Sequence, residues 1–157
     1  MIKNDTANYI LTKSSLERLK PGRWLNDEVL NAYISLVNLR STTTHAFVFN
    51  TFFYTMLEDM HGRGSYSYTK CERVLKRKKV DLRATGYRHI LFPINVRSSH
   101  WYLAVYITDT KEIVIVDSLI SSSYSEVRDI LSTFLKDYFK LDPATVLPVI
   151  PFHGTPQ

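Results

Sequence analysis

One cysteine, Cys71, occurs in the 157 residues, so no disulfide can form within the chain and a stapled extracellular scaffold is excluded. The opening residues MIKNDTANYILTKSS contain no apolar block ending in small residues, and so no secretory-signal pattern. Long hydrophobic runs are missing as well, and the apolar stretches are too short or too interrupted to cross a bilayer. His45, His61, His89 and His153 stand at no metal-ligand spacing with Cys71 or with one another, which argues against zinc; no cofactor is expected. Internal repeats and low-complexity tracts are lacking. These absences fit a reducing compartment, the nucleus and/or cytoplasm, with no membrane partner.

What remains is the composition of a globular protein, 45% hydrophobic and 22% charged, at a length that buries a core without metals or disulfides. One domain over residues 1–157 is the expectation. The net charge is +5, which favours an acidic partner: nucleic acid, a phosphoinositide surface or an acidic protein. Much of the excess lies in Lys70, Arg73, Lys76, Arg77, Lys78 and Lys79, readable as a solvated helix face or as an import or docking patch. The aromatic residues cluster in apolar runs, not as interleaved exposed platforms, which argues against a specific nucleic-acid function.

Along the chain, Tyr9 to Leu19 forms a first segment that ends at the turn signal Lys20-Pro21-Gly22. Val29, Leu30, Tyr33, Ile34 and Val37 then recur at three- and four-residue spacing, predicting an amphipathic helix over about 26–39 capped by Asn26 or Asp27. AFVFNTFFYTMLEDM begins as a short strand and continues as a helix. Tyr68 to Lys79 reads as a basic helix with Val74 and Leu75 buried, followed by extended Val80-Asp81-Leu82. Strands are predicted at 89–96, 100–107 and 112–116, the last two joined by a tight turn at Thr108-Asp109-Thr110-Lys111. A helix over 124–139, started by Ser123 or Ser125, and a short proline-interrupted strand complete an α+β order.

His100 opens one of these strands and Asp117 closes the next. With the turn centred on 109 and 110, paired positions sum to about 219, which puts Asp117 opposite residue 102 and near His100 at the same sheet end. A carboxylate there fixes the imidazole tautomer and supports the imidazolium, while the second ring nitrogen serves a nucleophile. Taken alone, a His and an Asp at strand ends are also ordinary surface or capping residues.

Five segments give that pair a context: Trp24-Leu25-Asn26-Asp27, Phe49-Asn50-Thr51-Phe52-Phe53-Tyr54, Pro93-Ile94-Asn95, Ser99-His100-Trp101 and Val116-Asp117-Ser118-Leu119. Their order and spacing over about 95 residues, with a basic VLKRKKVDL segment between the second and third, resemble the Ulp/SENP family of SUMO proteases. The resemblance, which spans residues 9–157, implies a papain-like α+β cysteine-proteinase fold with a central antiparallel sheet flanked by helices. It also implies cleavage after the C-terminal diglycine of SUMO or another ubiquitin-like modifier, in precursors or isopeptide-linked conjugates.

Carried over by motif, His100 resembles the general base and Asp117 its orienter, while Trp24 and Trp101 resemble two indoles that clamp the diglycine tail. Asn26, Asp27 and Phe52 resemble modifier contacts, and Asn95 and Ser99 resemble polar contacts to the tail. Gln157 resembles one of a Gln pair, one member of which donates to the oxyanion. In the family pattern an Asp-Cys-Gly segment with the nucleophile follows, and these 157 residues stop short of it. The expectation is therefore a domain incomplete at its C-terminus and inactive as it stands. The alternative is a non-catalytic module that binds the modifier.

Overall fold

The computed structural model describes residues 2–4, 9–40, 45–83, 86–96, 98–119 and 123–152. Strands β1 (Ile2–Asn4) and β2 (Tyr9–Leu11) pair antiparallel, and a short helix α1 (Lys13–Leu16) and a 3-10 turn (Glu17–Leu19) follow. Next come α2 (Asp27–Leu39), β3 (Ala46–Val48), α3 (Thr51–Gly62) and the basic helix α4 (Tyr68–Arg77). Strands β4 (His89–Val96), β5 (His100–Ile107) and β6 (Glu112–Val116), helix α5 (Ser125–Phe139) and β7 (Val149–Phe152) complete the order.

The main sheet has the order β3-β4-β5-β6-β7. Its three central strands are antiparallel, as their short connections require, whereas β3 and β7 join the two edges in parallel. The sheet is therefore mixed, an arrangement the antiparallel expectation covers only at its centre. Parallel edges arise because helices, not hairpins, separate β3 from β4 and β6 from β7. The 108–111 turn closes with the Lys111 N–H on the Ile107 carbonyl at 2.9 Å. Lys111 takes the left-handed conformation (φ 59°) that such a hairpin turn needs at its last residue.

Alternation on the strands sets the core. Ile90, Phe92 and Ile94 of β4, Ala104 and Tyr106 of β5, and Ile113 and Ile115 of β6 point to one face, where they meet Phe53, Leu57, Leu131, Phe134 and Leu135 of α3 and α5. Phe49 stacks on Phe53 and Phe92, and Phe134 meets all three rings edge-on. Helix α2 is fastened to this body by two amide side chains. Asn31 accepts from the Thr51 N–H and donates to the Thr51 hydroxyl, both at 2.9 Å; Asn38 accepts from the Val48 N–H at 2.9 Å and donates to the Val48 carbonyl at 2.8 Å.

Two local expectations change. Cys71 and Leu75, not Val74 and Leu75, are the buried residues of α4, because the helix turns that stripe toward α5. Val80 and Asp81 join no strand, and the chain turns at Leu82 and Arg83: Leu82 is buried, and its N–H donates to the Tyr138 hydroxyl at 2.8 Å.

Candidate active site

The β5–β6 register pairs Leu103 with Val116, so positions sum to 219 as the turn predicts and Asp117 falls opposite Tyr102. His100 and Tyr102 lie on the same face of β5, two residues apart, and Asp117 continues the inward side of β6. Hence the two side chains meet diagonally across the strand ends, with His100 Nε2 2.5 Å from Asp117 Oδ1. The Asp117 side chain is only 5% exposed and that of His100 16%, so little water competes for the contact. With Nε2 engaged, Nδ1 is the ring nitrogen left for a reacting group.

Asp117 has two further partners: the Leu119 N–H donates to Oδ1 at 2.9 Å, and the Tyr124 hydroxyl donates to Oδ2 at 3.0 Å. Burial alone would push its pKa up. The bonds from His100, Leu119 and Tyr124, together with the charge of His100, outweigh it and hold the carboxyl below its ordinary value. Sequence reasoning missed Tyr124, since no spacing rule links it to Asp117. Its ring lies 5.8 Å from that of Tyr102, which in turn stacks 6.3 Å from the His100 imidazole.

These groups line a cavity of about 580 Å³ with Tyr54, Asn95, Glu58 and Glu126. Desolvation, then the nearby Glu126 carboxyl, raises the pKa of Glu58. The Asn95 side-chain oxygen is sealed from solvent and has no hydrogen-bond partner among the described residues, an unsatisfied polar atom on a residue that lines the cavity. Asn95 pairs directly with Trp101 across β4 and β5, while Ser99 occupies the exposed turn between those strands and bonds the Val96 carbonyl at 3.0 Å.

Trp101 donates its indole N–H to the Leu25 carbonyl at 3.1 Å, which ties the strand bearing His100 to the loop bearing Trp24 across 76 positions of sequence. Trp24 is 65% exposed and Phe52 58%, whereas Phe47, Phe49 and Phe53 belong to the core. An indole this open is not a core tryptophan. Asn26 is the cap of α2: its side chain accepts from the Val29 N–H at 3.1 Å and donates to the Ser15 hydroxyl at 3.1 Å. Ser15 and Glu28 extend this network. Asp27, half-buried, follows in the first turn. Gln157 lies outside the described residues.

Cys71 lies in the core beneath α4, bonded to the Ser67 carbonyl, and is absent from the cavity around His100. Desolvation, with a smaller push from Asp137, raises its thiol to about 11, partly offset by the backbone bond. Such a thiol is not an activated nucleophile. No group of three His, Cys, Asp or Glu among the described residues is placed to hold a metal ion, and no described helix is long and apolar enough to cross a membrane.

Comparison with known proteins puts this geometry in a family. The model of the Ulp1 protease family, C-terminal catalytic domain, matches residues 23–145. Ubiquitin-like-specific protease 1A of Arabidopsis thaliana is 32% identical over 145 residues, which cover 82% of this chain and 28% of that protein. Ubiquitin-like-specific protease 1 of Saccharomyces cerevisiae is 35% identical over 112 residues, covering 71% of this chain and 16% of that one. The solved structure of the C-terminal Ulp1 protease domain in complex with Smt3, the yeast ortholog of SUMO, superposes with a TM-score of 0.74 at 26% identity, covering 96% of this chain and 66% of that chain. The chain thus spans less than half the length of these curated relatives. The matched span holds every described residue of the paired His and Asp, the capped α2 and the two indoles, and through it the chain belongs to the Ulp1 protease family, a family of cysteine proteases.

Proposed function

We propose that this chain is the catalytic part of a cysteine peptidase that cleaves after the C-terminal diglycine of SUMO or a related ubiquitin-like modifier, in precursors, in isopeptide conjugates or in both. The observation that carries the reading is the His100 Nε2 to Asp117 Oδ1 contact between two largely buried side chains, with Nδ1 unengaged among the described residues. In the proposed reaction Nδ1 takes the proton of a cysteine thiol, and the thiolate attacks the carbonyl carbon of the second glycine. Asp117 supports the imidazolium so formed. The same proton then passes to the leaving amine, the acyl–sulfur bond remains, and water hydrolyses it with His100 again as base.

Cys71 is not that thiol, so the reading requires one from outside residues 1–157. By family resemblance Gln157 belongs to the pair that supplies the oxyanion donor. Trp24 and Trp101 would flank a tail that only glycine is slim enough to thread, Asn95 and Ser99 would bond its backbone, and Asn26, Asp27 and Phe52 would meet the modifier body. Nuclear or cytoplasmic placement belongs to the same proposal. The burial of Cys71 supports a second reading for residues 1–157 by themselves: a module that binds the modifier without cleaving it.

The test uses modifier probes with a thiol-reactive group at the C-terminus, applied to the 157-residue chain and to a chain extended into the coding sequence that follows. Covalent capture of a SUMO probe by the longer chain, abolished in His100→Ala, is the expected result. Binding of the modifier without capture by either chain would sink the peptidase reading and leave the module.

A further inference from the structure

The net charge of this molecule is concentrated in ten residues. Positions 70–79 hold six of the twenty Lys and Arg side chains and one of the fifteen acidic ones, Glu72, so the rest of the chain carries fourteen of each. The whole net charge of +5 therefore sits on α4 and the turn after it. Lys70, Arg73, Lys76, Arg77, Lys78 and Lys79 are all exposed. Lys76 pairs with Glu72 at 3.1 Å, while the other five make no ion pair with a described residue. Like charges three and four positions apart on a helix repel, so an uncompensated patch of this density costs the free chain stability that an anionic partner would return.

One edge of the patch borders an apolar space. Lys78 stands at the rim of a groove of about 580 Å³ between α2, α3 and α4, whose walls include Ile34, Leu39, Phe47, Val74 and Val80. Though Lys78 is exposed as a whole, partial desolvation at this rim, then the neighbouring Arg77, lowers its pKa; Glu28 lines another part of the same groove.

We propose that this groove and the basic rim of α4 form a docking site for a polypeptide segment in which apolar side chains adjoin a run of Asp or Glu. The apolar residues fill the groove, and the carboxylates meet Arg77, Lys78 and Lys79. Both halves of the surface select this occupant. A nucleic-acid backbone would satisfy the charges but has no aliphatic side chains for the groove, and Tyr68, the aromatic residue of α4, packs against the core and offers no stacking platform. Phe52 borders the same groove, so the docked segment would lie beside the face assigned to the modifier, where an acidic stretch of a conjugated protein could reach. The site contains neither His100 nor Asp117, and its test does not depend on the peptidase reading.

The experiment is fluorescence anisotropy of the full chain with a labelled peptide in which leucine and isoleucine precede glutamates. Three control probes accompany it: one with Gln for Glu, one with Ser for the apolar residues, and a single-stranded DNA. The expected result is binding of the first peptide alone at physiological salt. Arg77→Glu combined with Lys79→Glu should weaken it about tenfold, since reversing exposed charges removes a modest attraction at each and adds repulsion. Leu39→Ser, at a residue 49% exposed and so tolerant of change, should weaken it severalfold. DNA bound as tightly as the peptide, with no effect of Leu39→Ser, would overturn the proposal in favour of a phosphate-binding patch. Absence of peptide binding would overturn it outright. In either case capture of a modifier probe, and its loss in His100→Ala, would be unaffected, so failure here is distinct from failure of the peptidase reading.

Discussion

Tyr124→Phe is the most informative single change at the site, because it removes one hydroxyl and leaves the ring. In the wild type that hydroxyl donates to Asp117 Oδ2 at 3.0 Å, and the Asp117 side chain is only 5% exposed, so water cannot easily replace it. A hydrogen bond to a buried charge contributes about 1.5–3 kcal/mol. A loss of about 2 kcal/mol lowers the melting temperature of a chain this size by about 4–8 °C. The pH dependence separates this account from simple loss of packing. The folded pKa of Asp117 is depressed, so the stability it contributes is fully present above its unfolded value and disappears as pH falls through the folded value. Tyr124→Phe moves the folded pKa back toward the unfolded one. The cost should therefore be full at about pH 7 and shrink as pH falls through the folded pKa of Asp117, below which the carboxyl is protonated in both states. Urea unfolding of both proteins across that range is the assay. A cost that is equal at both ends, or absent at neutral pH, would refute the claim that Tyr124 acts through the Asp117 carboxylate.

Further outcomes follow from the same geometry. Trp24→Ala should change folding stability by less than about 0.5 kcal/mol, because the ring is 65% exposed, yet weaken modifier binding at least about tenfold; calorimetry beside thermal unfolding checks the contrast. Asn38→Ala should cost about 2–3 kcal/mol in urea unfolding, since it leaves the Val48 N–H and carbonyl without their side-chain partners. Cys71→Ser should destabilise by about 1–3 kcal/mol by placing a hydroxyl among apolar residues, and should leave modifier binding unchanged in a pull-down.

Local pattern carried much of the architecture. The apolar spacing from Val29 to Val37 and from Val127 to Tyr138 fixed two helices nearly to the residue, because an amphipathic stripe has to follow the helical period to reach a core. The 108–111 turn fixed the β5–β6 register, and with it the meeting of His100 and Asp117, because a hairpin of known turn length leaves no freedom in pairing. The parallel edges of the sheet were less legible: which strand adds to an edge, and in which direction, depends on how the intervening helices cross the sheet.

The sequence by itself determined most elements from α2 onward, the hairpin and the meeting of His100 and Asp117, all of which rest on residues close in sequence or on a repeating local period; the β1–β2 pair and α1 were not legible in it. Only the tertiary structure decided that Trp101 would bond the Leu25 carbonyl, that Tyr124 would turn its hydroxyl onto Asp117, that the Asn95 side-chain oxygen would be sealed without a partner among the described residues, and that Cys71 would be spent in the core. Each of these is a contact or a burial set by where separate elements come to rest. A hydrogen bond across 76 positions leaves no trace in the spacing of either partner.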